Sequence, residues 1–154
     1  MLNRIFPERI DNHYRGHKLA LWFFVPVTLM KIGISMVHIF YADGGGQSIS
    51  KMPLDAYPAG ATQNVVALYA RMGVDQLILG LLFVLVLFRY RAMIPLMYLV
   101  AVTHYIALKA IASAKPIAAA GRSSAGTMAL ILTFLTVTGF VLSLLRKDDP
   151  PAQG

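Results

Sequence analysis

The chain has 154 residues, of which 57% are hydrophobic and only 14% charged, whereas a soluble domain is about 45–50% apolar and about one quarter charged. It contains no cysteine, which excludes disulfides, thiolate metal sites and thiol redox chemistry. The formal net charge of +7 is concentrated at the ends of apolar segments, a distribution that fits membrane orientation better than nucleic-acid binding.

Four apolar segments are each long enough to cross a hydrocarbon core of about 30 Å, which takes about 20 helical residues. They lie at about 18–41, 64–89, 92–114 and 124–145. We therefore predict an all-α, integral membrane four-helix bundle at 18–145, with cytoplasmic tails at 1–17 and 146–154. Cleavage of the first segment as a signal peptide is disfavoured, because its charged leader is long and Lys31 interrupts the apolar run.

The connections between the spans differ in length and composition. The first, 42–63, is interpreted as a partly ordered external loop that is able to fold over the bundle mouth, with Gly44-Gly45-Gly46 as a flexible linker. The second is the basic turn Arg89-Tyr90-Arg91, which is so short that we expect the second and third helices to be antiparallel neighbours.

Lysine and arginine residues at and beyond the ends of the spans predict the orientation of the bundle. Eight of them lie on the side of the termini, at Arg4, Arg9, Arg15, Lys18, Arg89, Arg91, Arg146 and Lys147. Three lie on the other side, at Lys51, Lys115 and Arg122. Because cytoplasmic loops carry the excess of basic residues, both termini are predicted to be cytoplasmic.

Polar and ionisable residues interrupt the first three spans and form the candidate functional site. We call them the polar seam; they are Lys31, His38, Arg71, Asp75, Gln76, His104, Tyr105 and Lys109. Charged groups at membrane depth are costly and usually face a protein interior or a wet cavity. Asp75 is the only acid within the spans, and Arg71 lies one turn earlier on the same helix face. We therefore predict that Asp75 is ionised and paired with Arg71 or Lys31.

Five of the seam residues also have a purely structural interpretation. Lys109 can extend its ammonium to the membrane surface, and His38 is close enough to the interface to be solvated. Arg71 and Asp75 can serve as an ion pair that fixes the helix register. His104 can be a neutral, hydrogen-bonded core histidine.

Small residues predict where the helices approach each other. Gly73 and Gly80 on the second helix permit close contact with a neighbouring backbone. The fourth helix carries no charge and has a small, weakly polar packing stripe, which consists of Thr133, Thr136, Gly139 and Ser143.

Several functions are compatible with this pattern. Apolar walls with a few converging donors suit a pocket for a lipid-like or quinone-like molecule with carbonyl or anionic oxygens. The alternative is a subunit of a proton or solute pathway that uses Asp75 and His104 as a relay. The favoured interpretation is a small non-enzymatic membrane protein that either binds such a lipid-like or quinone-like molecule or is an accessory protein, packing against a larger membrane complex or forming a homo-oligomer. A bis-histidine haem protein is less favoured, because His38 and His104 differ by roughly 10 Å in depth at 1.5 Å per residue.

Enzymatic chemistry has little support in the sequence. Neither H-E-x-x-H nor H-x-x-E-H occurs, and G-x-S-x-G and phosphate-binding loops do not occur either. We therefore predict no catalytic residue, no metal and no cofactor, and we expect the partners to be the lipid bilayer and an apolar ligand rather than nucleic acid.

Residues 65–109 carry the pattern of a known group of proteins. The motifs are Arg71-Met72-Gly73, Gly80-Leu81-Leu82, Arg89-Tyr90-Arg91 and Pro95-Leu96. This stretch, about a third of the chain, resembles small bacterial four-helix membrane proteins of the DoxX-like type. The resemblance implies a four-helix bundle in a bacterial cytoplasmic (inner) membrane, and it implies no catalytic residues.

Overall fold

The computed structural model describes residues 2–121 and 123–145. The predicted C-terminal tail at 146–154 and the basic residue Arg122 lie outside these described residues. Within them the chain is helical and contains no strand, which confirms the predicted all-α class. The helices are α1 (Leu2–Ile5), α2 (Lys18–Phe40), α3 (Ala59–Arg89), α4 (Ile94–Ala114) and α5 (Ser124–Leu144).

Helices α2 to α5 correspond to the four predicted spans. In the described part of the chain, these four helices are long and apolar enough to cross a membrane. The largest difference from prediction is at the start of α3, which begins at Ala59 rather than at Asn64. Pro58 precedes this helix in an extended conformation, and the fixed φ of proline suits the start of a helix. The apolar pattern begins later than the helix does, so the pattern alone placed the boundary too late.

Gly73 and Gly80 bring α3 into close contact with α2, as predicted. A Cβ atom at Gly73 would lie 2.8 Å from the Cβ atom of His38. A Cβ atom at Gly80 would lie 2.9 Å from a side-chain carbon of Ile32. These distances are shorter than carbon–carbon contact allows, so only glycine lets the two helices lie this close.

The predicted packing stripe of α5 is largely buried, and its Gly139 lies against α4. Three of its four members are buried, namely Thr136, Gly139 and Ser143. A Cβ atom at Gly139 would overlap the ring of Tyr98 in α4. The Tyr98 hydroxyl donates a 2.6 Å hydrogen bond to the carbonyl oxygen of Ala20 in α2. Tyr98 therefore joins three helices.

The expectation that α3 and α4 are neighbours holds only at the turn that joins them. α3 packs chiefly against α2, whereas α4 packs chiefly against α5. The glycines of α3 allow it to pack closely against α2. The contact between Gly139 and Tyr98 likewise places α4 against α5. The two helices therefore separate beyond Tyr90, and a lateral cleft opens between them.

One half of the bundle is densely packed; we call it the packed half. Its core consists of Ala20, Phe24, Val27, Phe83, Val86, Ile94, Met97, Tyr98 and Ala101. The ring of Phe24 lies 5.1 Å from the ring of Phe83 and 5.1 Å from that of Tyr98, in the tilted and edge-on arrangements that aromatic pairs favour.

The N-terminal segment covers the end of this packed half. Arg4 donates a 2.8 Å hydrogen bond to the carbonyl oxygen of Leu144. The backbone N–H of Ala92 donates to the carbonyl oxygen of Asp11 at 3.2 Å. Tyr14 packs against the core, and burial raises the pKa of its hydroxyl above the ordinary value.

Candidate functional site

The opposite half of the bundle is hollow. Beneath the loop that joins α2 to α3 lies a cavity of about 250 Å³, which we call the loop-side cavity. All four long helices line it. Its apolar wall includes Met30, Ile34, Met72, Leu108, Met128 and Leu132.

The structure brings most of the polar seam together at this cavity. The seam residues that line it are Lys31, His38, Gln76, His104 and Tyr105. Asp75 lines an adjoining cleft of about 360 Å³ between α3 and α4. Arg71 and Lys109 are exposed on the outer surface of the bundle and line neither space.

The predicted ion pair of Asp75 is wrong. Among the described residues, the one ion pair within 4.0 Å joins Arg15 to Asp11, at 2.6 Å. Asp75 is exposed on the wall of the cleft, whereas Lys31 lines the loop-side cavity instead. Arg71 precedes Asp75 along the helix, and this order is the less favourable one for an i,i+4 pair.

Lys31 is buried without a counter-ion. Its side chain is 3% exposed, and its Nζ atom lies 5.2 Å from the centroid of the Tyr105 ring. A cation over an aromatic face is stabilised modestly. Within 2–121 and 123–145, Lys31 Nζ has no carboxylate within 4.0 Å. The residue lines the loop-side cavity, and its Nζ atom is not among the fully enclosed unpaired polar atoms.

His104 has a ring nitrogen without a hydrogen-bond partner. Its Nε2 atom is buried, and no hydrogen-bond partner for it exists among the described residues. Its ring lies edge-on to the ring of Tyr105, with centroids 5.6 Å apart. The structural interpretation as a hydrogen-bonded core histidine therefore fails at Nε2, because α4 faces the cleft here and no polar group of α3 reaches it.

His38 is buried rather than solvated, because the loop folds over it. Its Nδ1 atom makes a 2.7 Å hydrogen bond with the carbonyl oxygen of Gly44. Its ring lies 5.2 Å from the ring of Tyr69 on α3. His38 therefore ties the loop to two helices at the outer end of the cavity.

The Gly44-Gly45-Gly46 run is an ordered turn, so its interpretation as a flexible linker is wrong. All three glycines are buried. Gly44 and Gly45 have φ angles of +59° and +81°, in the left-handed region that glycine adopts readily. A Cβ atom at Gly44 would also lie 2.8 Å from the Cβ atom of Tyr69.

Asp43 organises the same turn. Its carboxylate accepts hydrogen bonds from the backbone N–H groups of Gly45 at 3.0 Å, Gln47 at 3.0 Å and Ser48 at 2.6 Å. Burial by itself raises the pKa of this carboxyl, but the hydrogen bonds outweigh burial and hold the pKa below its usual value. The turn is thus held by an ionised side chain.

The loop folds over the mouth of the bundle, as its sequence allowed. Ile49 and Ser50 of the loop line the cavity, together with Tyr69 of α3. The Tyr69 hydroxyl donates to Ser50 Oγ at 3.2 Å, and Ser123 Oγ donates to the Ile49 carbonyl oxygen at 3.1 Å. Ser50 and Tyr69 were not among the predicted site residues. Tyr69 precedes Gln76 by two helical turns, so helix periodicity was a usable signal for it.

The described part of the chain is an all-helical bundle with four helices long and apolar enough to span a membrane, and a cavity beneath the loop that joins α2 to α3. Comparison with protein families, curated proteins and solved structures finds no match for this chain. In the part of the chain that the structure describes, no three His, Asp or Glu side chains are placed to hold a metal ion.

Proposed function

We propose that this protein is a non-enzymatic membrane protein that binds a lipid-like or quinone-like molecule in the loop-side cavity. The main support for this proposal is the contrast between the packed half of the bundle and the half that contains the loop-side cavity. Protein interiors are normally packed as densely as organic crystals, with few voids larger than a water molecule. A cavity of about 250 Å³ in a bundle whose other half is well packed is therefore a candidate binding site.

The chemistry of the wall favours an apolar molecule with acceptor oxygens. Ligand sites are mostly apolar, with a few polar groups that fix orientation. The loop-side cavity fits this description, since donors from Lys31, Gln76 and Tyr105 converge between methionine, leucine and isoleucine side chains. Carbonyl or anionic oxygens are the groups that such donors recognise.

The second candidate is a proton or solute pathway. It is favoured by the cleft between α3 and α4, where Asp75 and His104 line the same space. Ionisable residues at membrane depth commonly form relays. The Asp75→Asn change distinguishes the two functions, because it removes a relay group and leaves the wall of the loop-side cavity intact.

We further propose that both termini are cytoplasmic and that the membrane is a bacterial inner membrane. The orientation is supported by the excess of basic residues on the side of the termini. The membrane is supported by the resemblance of residues 65–109 to DoxX-like proteins, which stays a prediction.

The orientation is tested by single-cysteine labelling, which is straightforward because the natural chain has no cysteine. Ser48→Cys lies on the exposed part of the loop, and Ala152→Cys lies in the C-terminal tail. An impermeant maleimide added to intact cells should label Ser48→Cys, whereas Ala152→Cys should react only after lysis. Labelling of both variants from the same side would overturn the four-span topology.

Filling the loop-side cavity should displace its occupant. Ala129 of α5 lines the cavity, so Ala129→Phe places an aromatic ring in the space. Native mass spectrometry of protein extracted in mild detergent should show a bound apolar molecule on the parent. We expect about tenfold weaker binding by Ala129→Phe, seen as lower occupancy, which corresponds to a loss of roughly 1.4 kcal/mol of binding free energy.

Ile131→Phe is the matched control, because Ile131 is 51% exposed on the same helix and does not line the cavity. The control should retain the bound molecule. Equal occupancy in all three proteins, or a parent without any bound molecule, would rule out the cavity as the binding site.

A further inference from the structure

The missing counter-ion of Lys31 identifies the chemistry of the ligand. Lys31 is almost fully buried as a residue and lines the loop-side cavity, and the described residues supply no carboxylate within 4.0 Å of its Nζ atom. Tyr105 lies beside it, and His104 lines the same cavity. Lys31 is therefore a cation at the cavity without a counter-ion among the described residues.

We infer that the ligand supplies the missing anion, and that it is a single-chain amphiphile with a carboxylate head, such as a long-chain fatty acid. This inference rests on the proposed function and names its ligand class. The carboxylate accepts charge-assisted hydrogen bonds from Lys31 Nζ, which are stronger than neutral ones. The apolar wall then contacts the first part of the acyl chain.

The size of the cavity favours one chain over two. A drug-sized ligand occupies a pocket of about 300–1,000 Å³, and the loop-side cavity is smaller than that, at about 250 Å³. Ile49 and Ser50 line it on the loop side, so the space beneath the loop suits a small head better than a bulky one.

The lateral cleft provides the path by which the acyl chain leaves the cavity. The cleft and the loop-side cavity share Met72, Gln76, His104 and Leu108 as wall residues, so the two spaces adjoin. α3 and α4 are separated here, and the acyl chain of the ligand extends between them toward the bilayer. Asp75 on the wall of the cleft repels a carboxylate, which favours the deeper position of the head beside Lys31.

The test compares two molecules that differ only in the head. Purified, lipid-stripped protein is incubated with hexadecanoate or with hexadecan-1-ol at equal mole fraction in detergent, and retention is quantified by native mass spectrometry. The parent should retain hexadecanoate about tenfold better than the alcohol, as expected when a charged hydrogen bond is gained. Lys31→Met should bind both molecules equally, whereas the exposed-lysine control Lys109→Met should keep the preference.

Each other outcome overturns a defined part of the account. Equal retention of acid and alcohol by the parent would refute the carboxylate head and leave cavity binding intact. Retention of neither molecule would refute the proposed function as well. A preference that survives in Lys31→Met would place the head elsewhere. Displacement of hexadecanoate by phosphatidylglycerol, but not by phosphatidylcholine, would assign the site to a phospholipid phosphate instead.

Discussion

Replacement of Gly139 by leucine is expected to lower the free energy of unfolding by about 1–3 kcal/mol, the usual cost of overfilling a packed interior. The contact with Tyr98 is the reason, because even a Cβ atom at this position overlaps the tyrosine ring. Tyr98 has no free space to move into, since it is fully buried and its hydroxyl is held by the carbonyl oxygen of Ala20. The loss should be visible as a shift of the unfolding midpoint in detergent.

Gly126→Leu on the same helix is the matched control. A Cβ atom at Gly126 meets no other atom within 4 Å, so a side chain there projects away from the bundle. This control should be as stable as the parent, or slightly more stable, because leucine has a higher helix propensity than glycine. If Gly139→Leu behaved like Gly126→Leu, Gly139 would have to lie on the lipid side of α5.

The helices of the fold could be predicted because the membrane imposes a simple rule on the sequence. Each span needs about 20 apolar residues, and this length is easy to recognise. This rule predicts which residues cross the hydrocarbon core, but a helix can begin several residues before that core. The extension of α3 back to Ala59 was therefore missed, since residues 59–63 form the first part of the helix after Pro58 without being strongly hydrophobic.

The relative placement of the helices was harder to predict. A short turn guarantees that α3 and α4 meet at one end, but it does not decide which helix each one packs against along its length. That choice depends on complementary shapes, such as Gly80 against Ile32 and Gly139 against Tyr98. The individual glycines were identified from the sequence, whereas their partners on other helices were not.

Sequence patterns give the faces of single helices but not the contacts between helices, and this explains which part of the site was predicted. Lys31 and His38 share a helical stripe, and the structure places both at one cavity with His104. The partner of Asp75 could not be obtained from helix periodicity, because an interhelical pair requires knowledge of the separation between helices. The cleft between α3 and α4 leaves Asp75 exposed, so the predicted ion pair does not form.

Lys31 binds the proposed ligand and does not stabilise the folded state. A buried cation that stabilises the protein needs a partner, and replacing buried ionic groups by apolar residues of similar volume is often stabilising by about 1–4 kcal/mol. Natural proteins accept such costs at sites where function requires them. Lys31 and its unsatisfied neighbour His104 fit this description.

The free energy of unfolding of lipid-stripped Lys31→Met tests this claim most directly. Methionine keeps most of the side-chain volume and removes the charge, so the variant should be more stable than the parent by about 1–4 kcal/mol. Lys109→Met, at an exposed position on α4, should change stability by no more than about 0.5 kcal/mol. A Lys31→Met protein that is clearly less stable than the parent would show that Lys31 holds the fold together, and it would contradict the account.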